Sequence, residues 1–190
     1  MPIQPAALLI IDMQIGMQSP ALPPRNNPGA EDNITLLLRA WRDAGLPVVH
    51  VRHMARSSSS VFFPGQSGAQ FQPAFEPLPD EHIVEKNVPD AFIQSALERW
   101  LHVRGIRDVV IAGVSTNHSV ESTARSAGNL GFATVVVADA TFAFAQPDYA
   151  GTPRSADDVH AISLANLARE YATIRNTADL LPRLSAAASC

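Results

Sequence analysis

Short apolar runs alternate with helix-period segments along these 190 residues, which predicts a doubly wound α/β domain: a six-stranded parallel sheet with helices on both faces, Rossmann-like in layout. Two further observations support that class. Hydrophobic residues make up 46% of the chain against 17% charged, enough to build a core and too few charges for a disordered chain. Glycines follow three of the helical segments, at Gly45, Gly105 and Gly131, where a chain leaving a helix favours a left-handed residue. The length fits one domain, read as residues 1–190.

The elements follow in order. The first strand is expected over Ala7–Asp12, where Leu8-Leu9-Ile10-Ile11 is continuously apolar. A helix over Asp32–Ala44 and a strand over Pro47–His53 come next, then a strand over His82–Lys86 and a helix over Asp90–Val103. The strand Asp108–Gly113 leads through a tight turn into a helix over Val120–Leu130. Thr134–Asp139 is the fifth strand, and Ala156–Arg169 is the helix after it, with Ser155 and Asp158 spaced as a capping box. Tyr171–Arg175 completes the sheet, and Thr177–Leu184 is a short last helix before an Ala-Ala-Ala-Ser-Cys tail expected to fray. Two stretches carry no periodicity: Gln14–Ala30 and Met54–Pro79, each with four prolines. Both follow strand ends on the side where open α/β sheets bind ligands, and they are read as walls of a pocket.

Composition excludes several functions. A net charge of −4 without a basic cluster argues against a nucleic-acid partner. No apolar run approaches the roughly 20 residues that span a bilayer, so no membrane association is expected. The start of the chain lacks a basic region of the signal-peptide kind, and the only cysteine, Cys190, leaves no intrachain disulfide. A cytoplasmic protein is the expectation.

Three residues capable of chemistry sit at strand ends. Asp12 closes the first strand, where a carboxylate is either a turn cap or a proton shuttle. Lys86 closes the third, on the opposite face from Glu85; alone it reads as a surface lysine, and beside Asp12 it becomes a cation near developing negative charge. Ser119 lies in Gly113-Val114-Ser115-Thr116-Asn117-His118-Ser119-Val120, a strand–turn–helix junction where backbone N–H groups favour an anion. Alone it reads as an N-cap.

These pieces, taken in order, resemble the isochorismatase-like cysteine hydrolases of the amidase type. The resemblance runs from Leu8-Leu9-Ile10-Ile11-Asp12-Met13-Gln14 through Gly45-Leu46-Pro47-Val48-Val49-His50-Val51-Arg52-His53, Glu85-Lys86, Ala91-Phe92 and the Ser119 turn. It continues through Thr123-Ala124-Arg125, Asn129-Leu130-Gly131-Phe132 and Val137-Ala138-Asp139-Ala140-Thr141 to Tyr171-Ala172-Thr173-Ile174. It implies that Asp12, Lys86 and position 119 form an Asp–Lys–nucleophile triad, with the backbone N–H groups of Ser115 and Ser119 as the oxyanion hole beside a cis peptide at Val114-Ser115. It further implies hydrolysis of an amide or imide of a small molecule, no cofactor, and a homodimer or homotetramer.

The chain departs from the family at the nucleophile itself, with serine where the pattern has cysteine. A hydroxyl is a far weaker acid than a thiol, and a carboxylate is a poor base for it. Three explanations stand open: an introduced Cys-to-Ser change that stops turnover, a natural variant with a slow or ligand-holding hydroxyl, or kinship with the isochorismatases that cleave a vinyl ether through the aspartate alone. A non-catalytic binding protein is the rival of a different class. His118 reads as a pocket-wall or capping histidine.

No metal is expected. Nicotinamidases of this superfamily use an Asp-x-His pair, whereas His50 and His53 here fall on opposite faces of one strand and Arg52-His53-Met54 lacks that spacing. For the substrate, Phe63 with Phe62, Phe71 and Phe75 is expected to form an apolar wall, completed by His118, Phe142 and Phe144, and Arg52 or Arg56 to meet an anionic group.

Overall fold

The computed structural model describes residues 6–187, with side chains through residue 182. Every residue of β1 (Ala6–Ile11) is buried, as a run of apolar side chains in the middle of a covered sheet demands. Alternate β1 side chains feed two cores. Ala6, Leu8 and Ile10 pack with α1 (Ala30–Asp43), which contributes Ile34, Leu37, Leu38 and Trp41. Ala7, Leu9 and Ile11 face the other way, toward the helices that follow later in the chain.

β2 (Val48–His53) and β3 (His82–Lys86) extend the sheet to one side. After α2 (Leu97–Val103), the chain returns to pair β4 (Asp108–Val114) with the free edge of β1. α3 (Glu121–Asn129), β5 (Ala133–Phe142), α4 (Ala156–Ala168), β8 (Thr173–Arg175) and α5 (Thr177–Ala187) complete the wind. Between β5 and α4, β6 (Gln146–Pro147) and β7 (Pro153–Arg154) make a small antiparallel hairpin. The main sheet is six-stranded, parallel throughout, in the order β3-β2-β1-β4-β5-β8. α1 and α5 cover one face; α2, α3 and α4 cover the other. The topological switch point lies between β1 and β4, the place where such sheets open a crevice for ligands.

The sequence expectations hold for the strands to within two residues at most ends and differ in three places. β5 runs three residues past Asp139, because the pairing with β4 slips between Ile111 and Gly113 and carries the strand on to Phe142. α2 starts at Leu97 and not at Asp90. Asp90 takes the Phe92 amide at 2.8 Å and Gln94 adopts φ 56°, so this segment makes turns where a helix was expected. The last helix continues to Ala187, so the first two residues of the expected frayed tail are helical; Cys190 lies outside the described residues.

Gly113 shows why the β1–β4 seam closes so tightly. Its φ is +121°, and a Cβ there would lie 2.2 Å from the Ile11 carbonyl oxygen. Gly113→Ala is therefore expected to cost roughly 3 kcal/mol or more, from backbone strain added to overpacking, read as a lower urea midpoint. A substitution at Gly45, at φ +62° with no atom within 4 Å of its would-be Cβ, is expected to cost only the roughly 1–2 kcal/mol of an ordinary left-handed residue.

At the β2–β3 side, Glu81 ties three elements together. It takes Arg42 at 2.7 and 2.8 Å, His50 Nε2 at 2.8 Å and the Leu78 amide at 2.8 Å. Burial pushes its carboxyl up, but the hydrogen bonds from Arg42, Leu78 and His50 outweigh burial and hold it at about 2. His50, fully buried, is pushed below its ordinary value by the same burial against Glu81's pull. Both shifts have one sign. Glu81's contribution is fully present above the ordinary carboxylate value of 4.5 and is lost as pH falls toward about 2. His50, which resists the proton that the unfolded chain takes up near 6.5, begins to cost stability already below that pH. A Glu81→Gln protein is expected to be less stable at neutral pH, with a urea midpoint that falls less steeply on acidification than the parent's.

Candidate active site

Asp12 is the first residue past β1, and its backbone is left-handed, with φ 52°. Aspartate tolerates that conformation better than most residues. Its amide binds the Val51 carbonyl at 2.9 Å and its own carbonyl takes the Gln14 amide at 2.7 Å. The reversal turns the side chain over the C-terminal edge of the sheet. Lys86 closes β3, two strands away, roughly 10 Å in a sheet of ordinary spacing. A lysine side chain crosses that gap.

Lys86 Nζ stands 2.7 Å from Asp12 Oδ2 and 3.3 Å from Ser119 Oγ. Asp12, Lys86 and Ser119 are 1%, 4% and 5% exposed, so water screens this trio little. The other carboxylate oxygen, Asp12 Oδ1, is buried with no hydrogen-bond partner. Buried polar atoms are seldom left so, and both lone pairs of this one are unused.

Ser119 lies on a π turn, Thr116–Val120, entered from β4 through a cis peptide at Val114-Ser115. The Val120 amide returns to the Ser115 carbonyl at 3.2 Å. π turns inserted at helix starts recur at functional sites because they re-aim one side chain. Ser115 Oγ donates to Asn117 Oδ1 at 2.6 Å, and His118 is exposed on the same turn.

Several residues expected around the trio are placed otherwise. Phe142 has no exposed surface: the register slip carries it into the core, with the Arg25 guanidinium 3.8 Å above its ring and Phe144 at its edge. It does not stand on an open wall. Phe71 and Phe75 are likewise buried, as packing of the second long loop. Phe63 is half-buried in that loop, and the ring that meets the site's surroundings is Phe62, 6.1 Å from the His53 ring. Arg52 is committed to Glu85, while Arg56 binds the Asn87 side-chain carbonyl at 2.9 Å. A cleft of about 230 Å³ opens beside Lys86, lined by Met54, Glu85, Asn87, Ile93 and Gln94.

Gln14 and His53 adjoin the trio in a way that the chain's pattern does not announce. Gln14 bonds His53 through both its amide atoms, at 3.0 and 2.8 Å, and reaches the Ala69 carbonyl at 2.9 Å, pinning the two long loops to each other. His53 pairs in register with Lys86 and therefore shares its face of the sheet. Burial first, then Lys86 and His118, push its imidazole below the ordinary value against the pull of Asp12. The ring is thus a neutral group at the rim of the site at pH 7. Among the described residues, no group of three or more His, Cys, Asp and Glu side chains is arranged to hold a metal ion. No helix among them is long and apolar enough to cross a membrane.

A doubly wound sheet with a carboxylate, an ammonium and a hydroxyl converging at its switch point defines a class, the open α/β domains that build a site on the C-terminal sheet edge. Within that class the chain belongs to the isochorismatase family: the isochorismatase domain profile matches residues 6–179. It is 39% identical over 175 residues to the isochorismatase family protein YrdC of Bacillus subtilis, covering 92% of this chain and 94% of that one. Maleamate amidohydrolase of Pseudomonas putida is 29% identical over 195 residues, covering 94% and 86%. Among solved structures, an isochorismatase-family protein of Chromobacterium violaceum superposes with a TM-score of 0.94 at 45% identity, over 98% of both chains. The family is one of hydrolases and includes amidohydrolases.

Proposed function

We propose that this chain is built to hydrolyse a C–N bond in a small amide or imide, with Asp12, Lys86 and position 119 as the reacting set. One observation carries the reading: Lys86 Nζ bridges Asp12 Oδ2 and Ser119 Oγ while Asp12 Oδ1 stays free. In this scheme Oδ1 accepts the proton of the attacking group as its heteroatom adds to the carbonyl carbon. The carbonyl oxygen, now anionic, faces the N–H groups of Ser115 and Ser119. Asp12 returns the proton to the departing nitrogen as the C–N bond breaks, and ammonia, an amine or, from an imide, a carboxamide leaves. Water then adds to the acyl group, giving its proton to Asp12, and the acid is released with the nucleophile restored. Lys86 keeps its positive charge throughout and opposes each negative charge that forms.

Serine weakens the first of these steps. The relationship to an amidohydrolase supports the bond type, and the nearly closed trio supports a small substrate. The test is a panel: ammonia release from primary amides and ureas, and acid formation from imides, by the parent and by a Ser119→Cys protein. Release by the Ser119→Cys protein alone, or much faster than by the parent, supports the reading. Equal release by both moves the chemistry off position 119, and release by neither refutes amide hydrolysis on that panel.

A further inference from the structure

The turn that carries Ser119 is gripped from behind by α4. His160 Nδ1 lies 2.8 Å from Thr116 Oγ1, the hydroxyl of the residue that opens the π turn. One helical turn on, Ser163 Oγ lies 3.0 Å from the Thr116 carbonyl and 2.5 Å from Glu121 Oε2, its single proton serving one acceptor at a time. Residues three apart share a helix face, so both contacts fall on one side of α4. Thr116 is fully buried and Ser163 is 2% exposed. The Thr116 carbonyl also takes the Glu121 amide that closes the π turn into α3. Position 119 therefore sits on a turn held at one end by α4 and at the other by Lys86.

His160 is half-buried, and burial pushes its imidazole below the ordinary value against Asp157. We assign the ring the neutral tautomer with its proton on Nε2, because Nδ1 then accepts from the Thr116 hydroxyl and gives that buried proton a partner. Remove that acceptor and the buried Thr116 hydroxyl loses its side-chain partner, so the turn must shift to satisfy it.

We propose that His160 is a positioning residue for the nucleophile turn: through Thr116 it fixes the placement of the position 119 side chain against the Lys86 ammonium. The proposal rests on the reading of position 119 as the attacking group. It touches no substrate and needs none for its test.

The Ser119→Cys protein supplies the readout, as the pH dependence of alkylation of its thiol by iodoacetamide. Mass spectrometry of the peptide separates that thiol from Cys190. A thiol beside an ammonium ionises below the ordinary value of about 8.5. His160→Leu in this background is expected to slow alkylation at pH 7 by about 5-fold or more and to raise the thiol's midpoint, as the thiol drifts from Lys86. His160→Asn places a polar atom near the position of Nδ1 and is expected to stay within about 2-fold of the background. Thr116→Val removes the other partner at nearly constant volume; it should match His160→Leu, and the two together should add little. This second variant gives the same reading if His160→Leu fails to fold.

A lowered midpoint that neither His160→Leu nor Thr116→Val moves overturns the proposal and leaves the site intact. So does an effect of His160→Asn as large as that of His160→Leu at equal melting temperature, since bulk and not the hydrogen bond would then matter. An ordinary midpoint in the Ser119→Cys background itself overturns the reading of the site, and the proposal with it.

Discussion

Asp12→Asn and Lys86→Met, each made alone, are expected to destabilise the fold by about 3–5 kcal/mol, and the double substitution to recover most of that loss. The side chains of this pair are 1% and 0% exposed and meet at 2.7 Å. Removing one partner strands the other charge where water does not reach it. Lys86 would face only neutral acceptors, the Ser119 hydroxyl and an amide oxygen, and Asp12, which already has one oxygen without a partner, would have two. Asparagine is the right replacement at position 12 because it tolerates the left-handed φ of 52° that most other side chains resist. Urea midpoints with unchanged slopes give the numbers. The double protein should be folded and inert. A buried ion pair is weak evidence for stability, since neutral groups often replace it at no cost. Recovered stability without recovered turnover would mean that the pair is kept for its chemistry. Losses under about 1 kcal/mol in both single proteins would mean that water reaches the pair, and the low-dielectric argument for the site would fail.

How much of this was legible in the chain depends on the range of the interaction. β3 is observed over His82–Lys86 as expected, and β1 starts one residue early, because an apolar run bounded by polar residues is a local signal. Asp12 directly follows β1, Lys86 ends β3 and Ser119 sits on the turn after β4, and their meeting at one sheet edge could be expected because parallel strands all end there. What was illegible depends on contacts remote in sequence. The slip that lengthens β5 and buries Phe142 is set on the neighbouring strand, between Ile111 and Gly113, and nothing near Phe142 announces it. Gln14 looks like any loop glutamine, yet its amide matches backbone groups 39 and 55 residues away. Thr116 and His160 are 44 residues apart, and nothing in the sequence around His160 announces the contact. The first turns expected of α2 failed differently. The Asp90 side chain caps a turn within two residues, and that local bond outcompetes a helix that periodicity alone supports.

Ser119→Cys is expected to raise ammonia release from a suitable amide by about 10²-fold or more near pH 7.5, the lower end of what matched proton transfer contributes. The argument is about who holds the proton. An unassisted thiol is already a few per cent ionised at pH 7, and an ammonium 3.3 Å from the attacking atom stabilises the anion further. The hydroxyl has no such reserve. Its proton must move during attack, and the acceptor beside it is a carboxylate, a weak base. Serine hydrolases solve this with an imidazole hydrogen-bonded to the hydroxyl. Here the bond that Ser119 Oγ receives comes from Lys86, a donor with no lone pair to offer, while His118 is exposed on the turn and His160 is spent on Thr116. The rate of the Ser119→Cys protein should rise with pH and level off at the midpoint found by alkylation, which ties turnover to the thiolate. A gain below about 10-fold, or a plateau unrelated to that midpoint, would mean that the site is tuned to an oxygen nucleophile or to protonation by Asp12. Serine would then be the working residue and not a weakened one.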